Sequence, residues 1–258
     1  MIHLATLFSG SSGNSVLVRS GEAAFLIDAG RSCKAVCDSL RRLNCGLEDL
    51  SCVFVTHEHS DHISALDVMM RKRPMPIHVS SPSAPELCRK QSAAGCAVVH
   101  RGLYFTQRIG DMTVSSFPLP HDSAAQLGYF IECDDGDTAA VATDMGCVTE
   151  EAFGNLSRCR TAVIESNHDE VMLRRGPYPY SLKTRILSKA GHLSNKDCSE
   201  LCLALAETGR IESILLAHLS AENNTPALAL GQIRSTLQKN GYENIAVCVA
   251  DREIPTVI

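Results

Sequence analysis

The feature that most constrains this chain is the stretch HEHSDH at residues 57–62, which directly follows an apolar run. The apolar run predicts a buried strand, and a short loop at the end of a strand can turn several side chains toward one point. His57 and His59 are two residues apart, so in extended backbone both imidazoles point the same way and can reach one ion. Asp61 and His62 can serve a second ion nearby. The stretch therefore predicts a metal centre at the end of a strand.

Predicted strands and helices alternate along the chain, and no repeat or long linker separates two domains. Two β-rich halves with outer helices indicate an α/β (α+β) protein built as a four-layer αββα sandwich, with one domain over residues 1–258. The predicted strands are Leu4–Phe8, Ser15–Arg19, Ala24–Asp28, Cys52–Thr56, Ile77–Ser80, Met112–Pro118, Gly128–Cys133, Thr138–Thr143, Thr161–Glu165, Ser213–Ala217 and Ile245–Val249. The predicted helices are Cys33–Leu43, Ile63–Arg71, Ala84–Ala93, Ser181–Ala190, Asn195–Glu207 and Pro226–Asn240.

Three further candidate metal donors each follow a predicted strand: His121, Asp144 and His218. Single His or Asp residues at strand ends are common, so each one taken alone is as readily structural. Asp28 ends another predicted strand and has two interpretations. It accepts hydrogen bonds from loop amides or from a donor imidazole, or it only closes a turn.

A strand followed by HxHxDH and a helix resembles the metallo-β-lactamase superfamily, and the order of the three later donors resembles its remaining motifs. The resemblance implies seven donors for two divalent ions, with Asp144 bridging them. Nitrogen and oxygen donors suit Zn²⁺, Mn²⁺ or Fe²⁺, among which the sequence does not choose. One ion would be bound by His57, His59 and His121, and the other by Asp61, His62 and His218.

The composition predicts the type of core and the cellular compartment. Hydrophobic residues make up 45% of the chain and Trp is absent, which predicts an aliphatic core. The twelve cysteines form no CxxC pair, so reduced, mostly buried thiols in a cytoplasmic protein explain them better than disulfides or a structural zinc. Residues 1–30 contain no charged segment followed by an apolar one, and we expect neither a signal peptide nor a membrane segment.

The net charge of −5 argues mildly against a polyanionic partner, but the charges are unevenly distributed. From Val171 to Lys196 there are six basic residues and no acidic one, so this segment can attract phosphate locally. Lys183 and Arg185 are candidates to follow the backbone of a nucleic acid strand. Taken alone, such a basic run is more simply explained as a solvated face.

The segment between Asp144 and His218 indicates the branch of the superfamily. It is about seventy residues long, too short for the inserted domain of β-CASP nucleases. It contains ESNHD at 165–169 and GHLSN at 191–195. Together with the small-residue loop Ser9–Ser15, these motifs resemble the YycJ/WalJ group of bacterial metallo-hydrolases over essentially the whole chain. This resemblance implies a metal-dependent 5′-to-3′ DNA exonuclease that acts on DNA ends.

For such an enzyme we expect a metal-bridging hydroxide to attack phosphorus, with Asp61 binding a metal and orienting the hydroxide. His192 lies in the acid-free segment, just before a predicted helix, and is the candidate to protonate the leaving alkoxide. Ser194 and Asn195 either hold a phosphate at the start of that helix or only cap it, with His192 packed inside. His168 is a weaker candidate for substrate binding.

Two other classes of function are open at this point. The same donors suit a small-molecule hydrolase, either a cyclic phosphodiesterase or a thioesterase, and the negative net charge and 5% aromatic content support it. A non-catalytic binding module on the same scaffold is the third class, and the intact donors at every motif argue against it. The oligomeric state is not predicted.

Overall fold

The computed structural model describes the backbone of residues 1–258 and every side chain except that of Cys96. Two seven-stranded sheets lie at its centre. The strands are β1 (His3–Phe8), β2 (Ser15–Arg19), β3 (Ala24–Ile27), β4 (Leu50–Phe54), β5 (Ile77–Ser80), β6 (Val98–Arg101), β7 (Thr106–Ile109), β8 (Met112–Leu119), β9 (Gln126–Cys133), β10 (Thr138–Ala142), β11 (Thr161–Glu165), β12 (Ser213–Ala217), β13 (Ala246–Val249) and β14 (Thr256–Val257). The α-helices are α1 (Cys33–Arg42), α2 (Ser60–Ile63), α3 (Leu66–Lys72), α4 (Ala84–Lys90), α5 (Glu150–Leu156), α6 (Glu170–Arg175), α7 (Tyr180–Ile186), α8 (Asn195–Glu207) and α9 (Pro226–Lys239).

The strand order places the functional loops together. The first sheet has the order β14-β1-β2-β3-β4-β5-β6, and the second has β13-β12-β11-β10-β9-β8-β7. Strands β3 to β6 run parallel in the first sheet, and β10 to β13 run parallel in the second. Parallel strands end at the same edge of a sheet, so the loops that follow them gather at one edge of the sandwich.

Three layers of apolar side chains lie between four layers of secondary structure. The middle layer separates the two sheets and contains Phe25, Phe54 and Tyr129. Their ring centroids are 5.1 Å apart for Phe25–Phe54 and 5.4 Å apart for Phe54–Tyr129. The outer face of the first sheet packs against α1, α3 and α4, and that of the second against α5, α8 and α9. The predicted four-layer αββα sandwich is therefore confirmed.

The predicted strands agree with the observed ones to within two residues at each end. Three helices are shorter than predicted. The helix expected at Ile63–Arg71 begins at Leu66, after the separate turn α2, the one expected at Ala84–Ala93 ends at Lys90, and the one expected at Ser181–Ala190 ends at Ile186. A Cβ on Gly191 would lie 2.2 Å from the carbonyl oxygen of Ile186. The chain therefore folds back tightly at this point.

Six short elements were not predicted: the strands β6, β7 and β14 and the helices α2, α5 and α6. The three strands all lie at sheet edges, where one side of the strand lacks a neighbour and the apolar pattern is weak. Strand β13 pairs with β12 and so completes the second sheet. None of the helices that the structure describes has the length and apolar character needed to span a bilayer.

Candidate metal centre

Five loops converge at one edge of the sandwich, each following a strand. They contain Asp28 after β3, the 57–62 stretch after β4, His121 after β8, Asp144 after β10 and His218 after β12. Asp28, Asp144 and His218 have φ angles of 61°, 57° and 56°, in the left-handed region that non-glycine residues seldom adopt. Such backbone persists only where the surroundings hold it, which points to a functional constraint on these loops.

The first group of donors consists of His57, His59 and His121, whose donor atoms all lie within 4.8 Å of one another. His57 is fully buried, and its Nδ1 lies 3.0 Å from the hydroxyl oxygen of Thr56. His121 Nδ1 lies 3.1 Å from the carbonyl oxygen of Gly191, to which it can only donate. These contacts occupy Nδ1 of both rings. Nε2 of His57 has no partner, and Nε2 of His121 lies 3.2 Å from Oδ1 of Asp122.

The second group consists of Asp61, His62 and His218, again with donor atoms within 4.8 Å of one another. His62 Nδ1 lies 2.7 Å from Oδ2 of Asp28. Asp28 also accepts a hydrogen bond from the backbone N–H of Thr56 at 2.8 Å. The interpretation of Asp28 as the residue that orients a donor imidazole is therefore confirmed.

Asp144 lies between the two groups. With His57 and His62 it forms a further set of donors within 4.8 Å. Its Oδ2 is 3.5 Å from His62 Nε2, and its Oδ1 is 3.3 Å from His218 Nδ1. The carboxylate faces both groups, which is the position a bridging ligand needs. The bridging role itself stays a prediction.

Unpartnered atoms show that the site fits metal ions. Among the described side chains, His57 Nε2, His218 Nε2 and Asp144 Oδ2 are buried without a hydrogen-bond partner. Leaving a buried polar atom without a partner costs about 1–3 kcal/mol. Three such atoms at one point are explained if cations bind them, and the mixed imidazole and carboxylate donors suit divalent transition metals.

The electrostatics of the site favour the metal-binding forms of His57, His59 and Asp61. Burial and the neighbouring imidazoles hold the pKa of His57 well below its ordinary value and lower the pKa of His59. Burial alone would raise the pKa of Asp61, but the hydrogen bond and charge of His62 lower it below the usual carboxyl range. Neutral imidazoles and ionised carboxylates are the forms that bind divalent cations. At His62 and His218, by contrast, burial lowers the pKa, but the neighbouring carboxylates, above all Asp144, outweigh it and raise the pKa of both imidazoles.

Glu165 is a buried carboxylate that the sequence interpretation did not assign to the site. Its Oε1 lies 2.7 Å from His218 Nδ1 and 2.8 Å from His192 Nδ1. Its Oε2 accepts the backbone N–H groups of Met145 and Leu193 at 2.9 and 3.1 Å. Burial alone would raise the pKa of Glu165, but the two imidazoles lower it strongly. The sequence did contain one indication of this role: Glu165 ends a strand, β11, and the other polar residues of the site also follow strands.

His192 stands at the open side of the centre. Its ring centroid lies 5.1 Å from that of His121 and 5.1 Å from that of His218, so it borders both donor groups. Its side chain keeps 18% exposure, against 4% for His218. Burial lowers the pKa of His192, but the charge of Glu165 outweighs this and raises it. The structure brings His192 to the donors, and its catalytic role stays a prediction.

The structure shows how the side chains of Ser194, Asn195 and His168 are held within the protein. Ser194 Oγ caps α8 by accepting the N–H of Asp197 at 3.1 Å. Asn195 is buried, and its side-chain oxygen accepts the hydroxyl of Ser166 at 2.7 Å. His168 is only 1% exposed. The cap that Ser194 forms on α8 is therefore observed, whereas both ring nitrogens of His168 are buried without a hydrogen-bond partner. Binding of a phosphate by any of the three residues stays a prediction.

Lys183 and Arg185 lie on α7, beside the centre. Arg185 Nε pairs with the carboxylate of Asp122, which adjoins His121 in the chain. Lys183 Nζ donates to the backbone carbonyl of Arg174 at 2.9 Å. Arg185 thus reaches the rim of the metal centre, whereas Lys183 ties α7 to the end of α6. Contact of either side chain with nucleic acid stays a prediction.

Comparisons with known proteins agree with this geometry. Residues 24–219 match the family model described as the beta-lactamase superfamily domain. The chain is 34% identical to exodeoxyribonuclease YycJ of Bacillus anthracis, covering 100% of this chain and 98% of the relative. It is 35% identical to exodeoxyribonuclease WalJ of Streptococcus pneumoniae, covering 86% of this chain and 83% of the relative. Its fold is similar to that of the metallo-beta-lactamase fold protein YhfI from Bacillus subtilis, with a TM-score of 0.74, 14% identity and 99% of each chain covered.

The chain therefore belongs to the metallo-β-lactamase superfamily. Its identity to exodeoxyribonucleases over most of its length, together with the clustered donors, supports a metal-dependent hydrolase. Within that superfamily, the identity over most of the chain places it in the YycJ/WalJ group.

Proposed function

We propose that the protein is a DNA exonuclease that degrades linear DNA from the 5′ end toward the 3′ end. The observation that carries the proposal is the arrangement of two donor groups, joined by Asp144 and bordered by the basic helix α7. A metal-dependent nuclease uses metal-activated water and a positive surface for the strand. The donor groups that could hold the metal and the basic helix α7 lie at one edge of the sandwich. The exodeoxyribonuclease names of YycJ and WalJ support the proposal.

Two divalent ions, Zn²⁺, Mn²⁺ or Fe²⁺, complete the proposed site. When bound, they polarise the phosphate and lower the pKa of water to about 7. The buried donor atoms without hydrogen-bond partners support this assignment. Asp144 faces both proposed positions. The donors would be His57, His59 and His121 for one ion, and Asp61, His62 and His218 for the other.

Asp61 and His192 are the catalytic groups that the chain itself supplies. The Asp61 side chain keeps 26% exposure, so its carboxylate can both bind metal and orient the attacking water. His192 is held by Glu165 through Nδ1, which leaves Nε2 to give a proton to the leaving oxygen. Glu165 is a positioning residue, because it sets the orientation of His192 and of the donor His218.

We further propose that residues 1–258 act as one domain and that the protein works in the cytoplasm. The first proposal is supported by the inner apolar layer, to which both sheets contribute. The second is supported by the eleven cysteines among the described side chains that are free thiols, since thiols stay reduced in that compartment.

Incubation of the Mn²⁺- or Zn²⁺-loaded protein with an end-labelled linear duplex tests the proposed function. We expect the wild type to release mononucleotides and Asp61→Ala to lose at least about 100-fold of this activity. A 5′ label should be released as a mononucleotide at once, and a 3′ label last. The circular dichroism spectrum of Asp61→Ala should match that of the wild type.

The same incubation separates the two classes of hydrolase. No release from the duplex with either metal, combined with turnover of bis-p-nitrophenyl phosphate or a thioester, would reject the nuclease. The site would then belong to a small-molecule hydrolase.

A further inference from the structure

A helical projection borders the metal centre and is little covered by the rest of the chain. This basic arm comprises residues 170–191 and contains α6 and α7, joined by a turn with two prolines. Every residue of α7 is at least partly exposed. A helix of seven residues is marginal in water without a packed face. Packing within the chain therefore does not explain why α7 is exposed, and a role in binding is the alternative.

Helix α7 presents a mixed face to solvent, while its apolar side chains Leu182 and Ile186 are half-buried. Tyr180, Lys183, Thr184 and Leu187 have the spacing of one helix face, here called the α7 stripe. Tyr180 is 85% exposed and Leu187 is 38% exposed. An aromatic and an aliphatic side chain on an uncovered helix face indicate a surface that binds a partner.

The α7 stripe forms one wall of an open cavity of about 600 Å³. An aromatic ring offers a stacking face to any base, and neighbouring cations attract the phosphates between bases. Arg174 pairs with Glu170 at 3.4 Å, but its side chain is 63% exposed, so this ion pair is weak and can give way to a phosphate. The cavity is lined by Arg174, Tyr180, Lys183, Thr184, Leu187 and Ser188.

The other end of the basic arm is fixed to the metal centre. Arg185 pairs with Asp122, the neighbour of the donor His121. A Cβ on Gly146, in the loop after β10, would lie 2.4 Å from the backbone carbonyl of Lys189. The arm therefore touches the loop that contains the proposed bridging carboxylate. A nucleic acid strand bound along the α7 stripe would therefore lie next to the metal centre.

We propose that the α7 stripe is a binding platform for single-stranded DNA, on which the ring of Tyr180 stacks against a base while the cations of the basic arm contact the adjoining phosphates. The inference rests on the proposed exonuclease activity and specifies where the strand is held before hydrolysis. The five basic residues of the basic arm, against the single acid Glu170, give the required charge complementarity despite the net charge of −5. Single-stranded DNA is favoured because a base must leave its neighbours to lie on the ring.

The test compares three variants of the Mn²⁺-loaded protein. Tyr180→Ala removes the ring, Tyr180→Phe keeps it, and Tyr104→Ala removes a tyrosine of 64% exposure elsewhere on the surface. Affinity for a fluorescein-labelled phosphorothioate single strand is measured by anisotropy. Hydrolysis of bis-p-nitrophenyl phosphate is measured in parallel, because that small ester needs only the metal site.

We expect Tyr180→Ala to weaken DNA binding about tenfold and to leave hydrolysis of the small ester within about twofold of wild type. Tyr180→Phe and Tyr104→Ala should bind DNA like the wild type. Unchanged affinity of Tyr180→Ala would overturn the platform, as would an equal loss in Tyr104→Ala or a parallel loss of small-ester hydrolysis. Binding of RNA about tenfold more tightly than DNA would overturn the choice of DNA.

The outcome also separates this inference from the proposed function. Normal digestion of linear DNA by the wild type, together with unchanged affinity of Tyr180→Ala, rejects only the platform. A wild type that neither binds nor digests DNA rejects the exonuclease itself.

Discussion

The metal centre and the basic arm adjoin each other but are built in opposite ways. In the centre, donor imidazoles are held by second groups of the protein, His62 by Asp28 and His218 by Glu165. In the arm, Tyr180 is 85% exposed and the arginines form ion pairs at the surface. Hydrolysis requires atoms to be held within fractions of an ångström, whereas binding a flexible strand of any sequence tolerates mobile contacts. The difference is the one expected if the chain separates rigid chemistry in the centre from adaptable strand binding on the arm.

The two regions should also respond differently to the loss of a side chain. In the centre, a lost side chain leaves other buried polar groups without partners, so stability and activity should fall together. In the arm, a lost side chain leaves only solvated neighbours, so substrate affinity should change without stability.

The largest effect is expected for Glu165→Ala. The substitution leaves the buried imidazole of His218, the partly exposed imidazole of His192 and two buried backbone N–H groups without their acceptor. We expect the free energy of unfolding to fall by about 3–5 kcal/mol, and nuclease activity to be lost. Urea denaturation measures the first quantity and nucleotide release the second. Glu132→Ala, at an exposed position of β9, is the matched control and should stay within about 0.5 kcal/mol of wild type. A fully active and equally stable Glu165→Ala protein would remove the contrast between the two regions.

A smaller effect, confined to turnover, is expected for His192→Ala. If His192 protonates the leaving oxygen, kcat on DNA should fall about 100-fold, while the metal content and the affinity for DNA stay near wild type. Single-turnover kinetics and metal analysis measure these quantities. His100→Ala removes an exposed histidine on β6 and should be neutral. Turnover of His192→Ala within a few-fold of wild type would show that His192 is only structural.

The smallest effect is expected for Lys189→Gln in the basic arm. Lys189 is exposed, so its loss should leave the free energy of unfolding within about 0.5 kcal/mol of wild type. The slope of log affinity for single-stranded DNA against log salt should become shallower by about 0.7, because one phosphate contact is lost. Lys34→Gln on α1, also exposed, should leave the slope unchanged. Identical slopes for the two variants would place the DNA outside the arm.

Strands were predicted best from the sequence where both of their faces are buried. Strands β10, β11 and β12 are nearly continuous apolar runs because both of their faces pack against other layers. Strands β6, β7 and β14 lie at sheet edges with half-exposed patterns, and they were missed. The helix start at Thr225 was also readable, since its side chain accepts the N–H of Leu228 and Pro226 follows.

The metal centre could be predicted only in part from the sequence, for a different reason. The 57–62 stretch is local, so its donors could be recognised together. Glu165 was not assigned, because its contacts with His192 and His218 join residues 27 and 53 positions away. The sequence allowed two roles for Ser194, and only the structure shows that its side chain accepts the N–H of Asp197 and caps α8.

The sequence by itself determined the local features: the apolar periods of the buried strands, the order of the candidate donors and the acid-free basic segment. Only the tertiary structure decided which groups hold the donors, that His192 faces the open side of the centre, and that the α7 stripe is uncovered. The physical reason is that periodicity and charge act between near neighbours in the chain. Hydrogen bonding and exposure of a given side chain depend instead on elements that folding brings together from distant parts of the sequence.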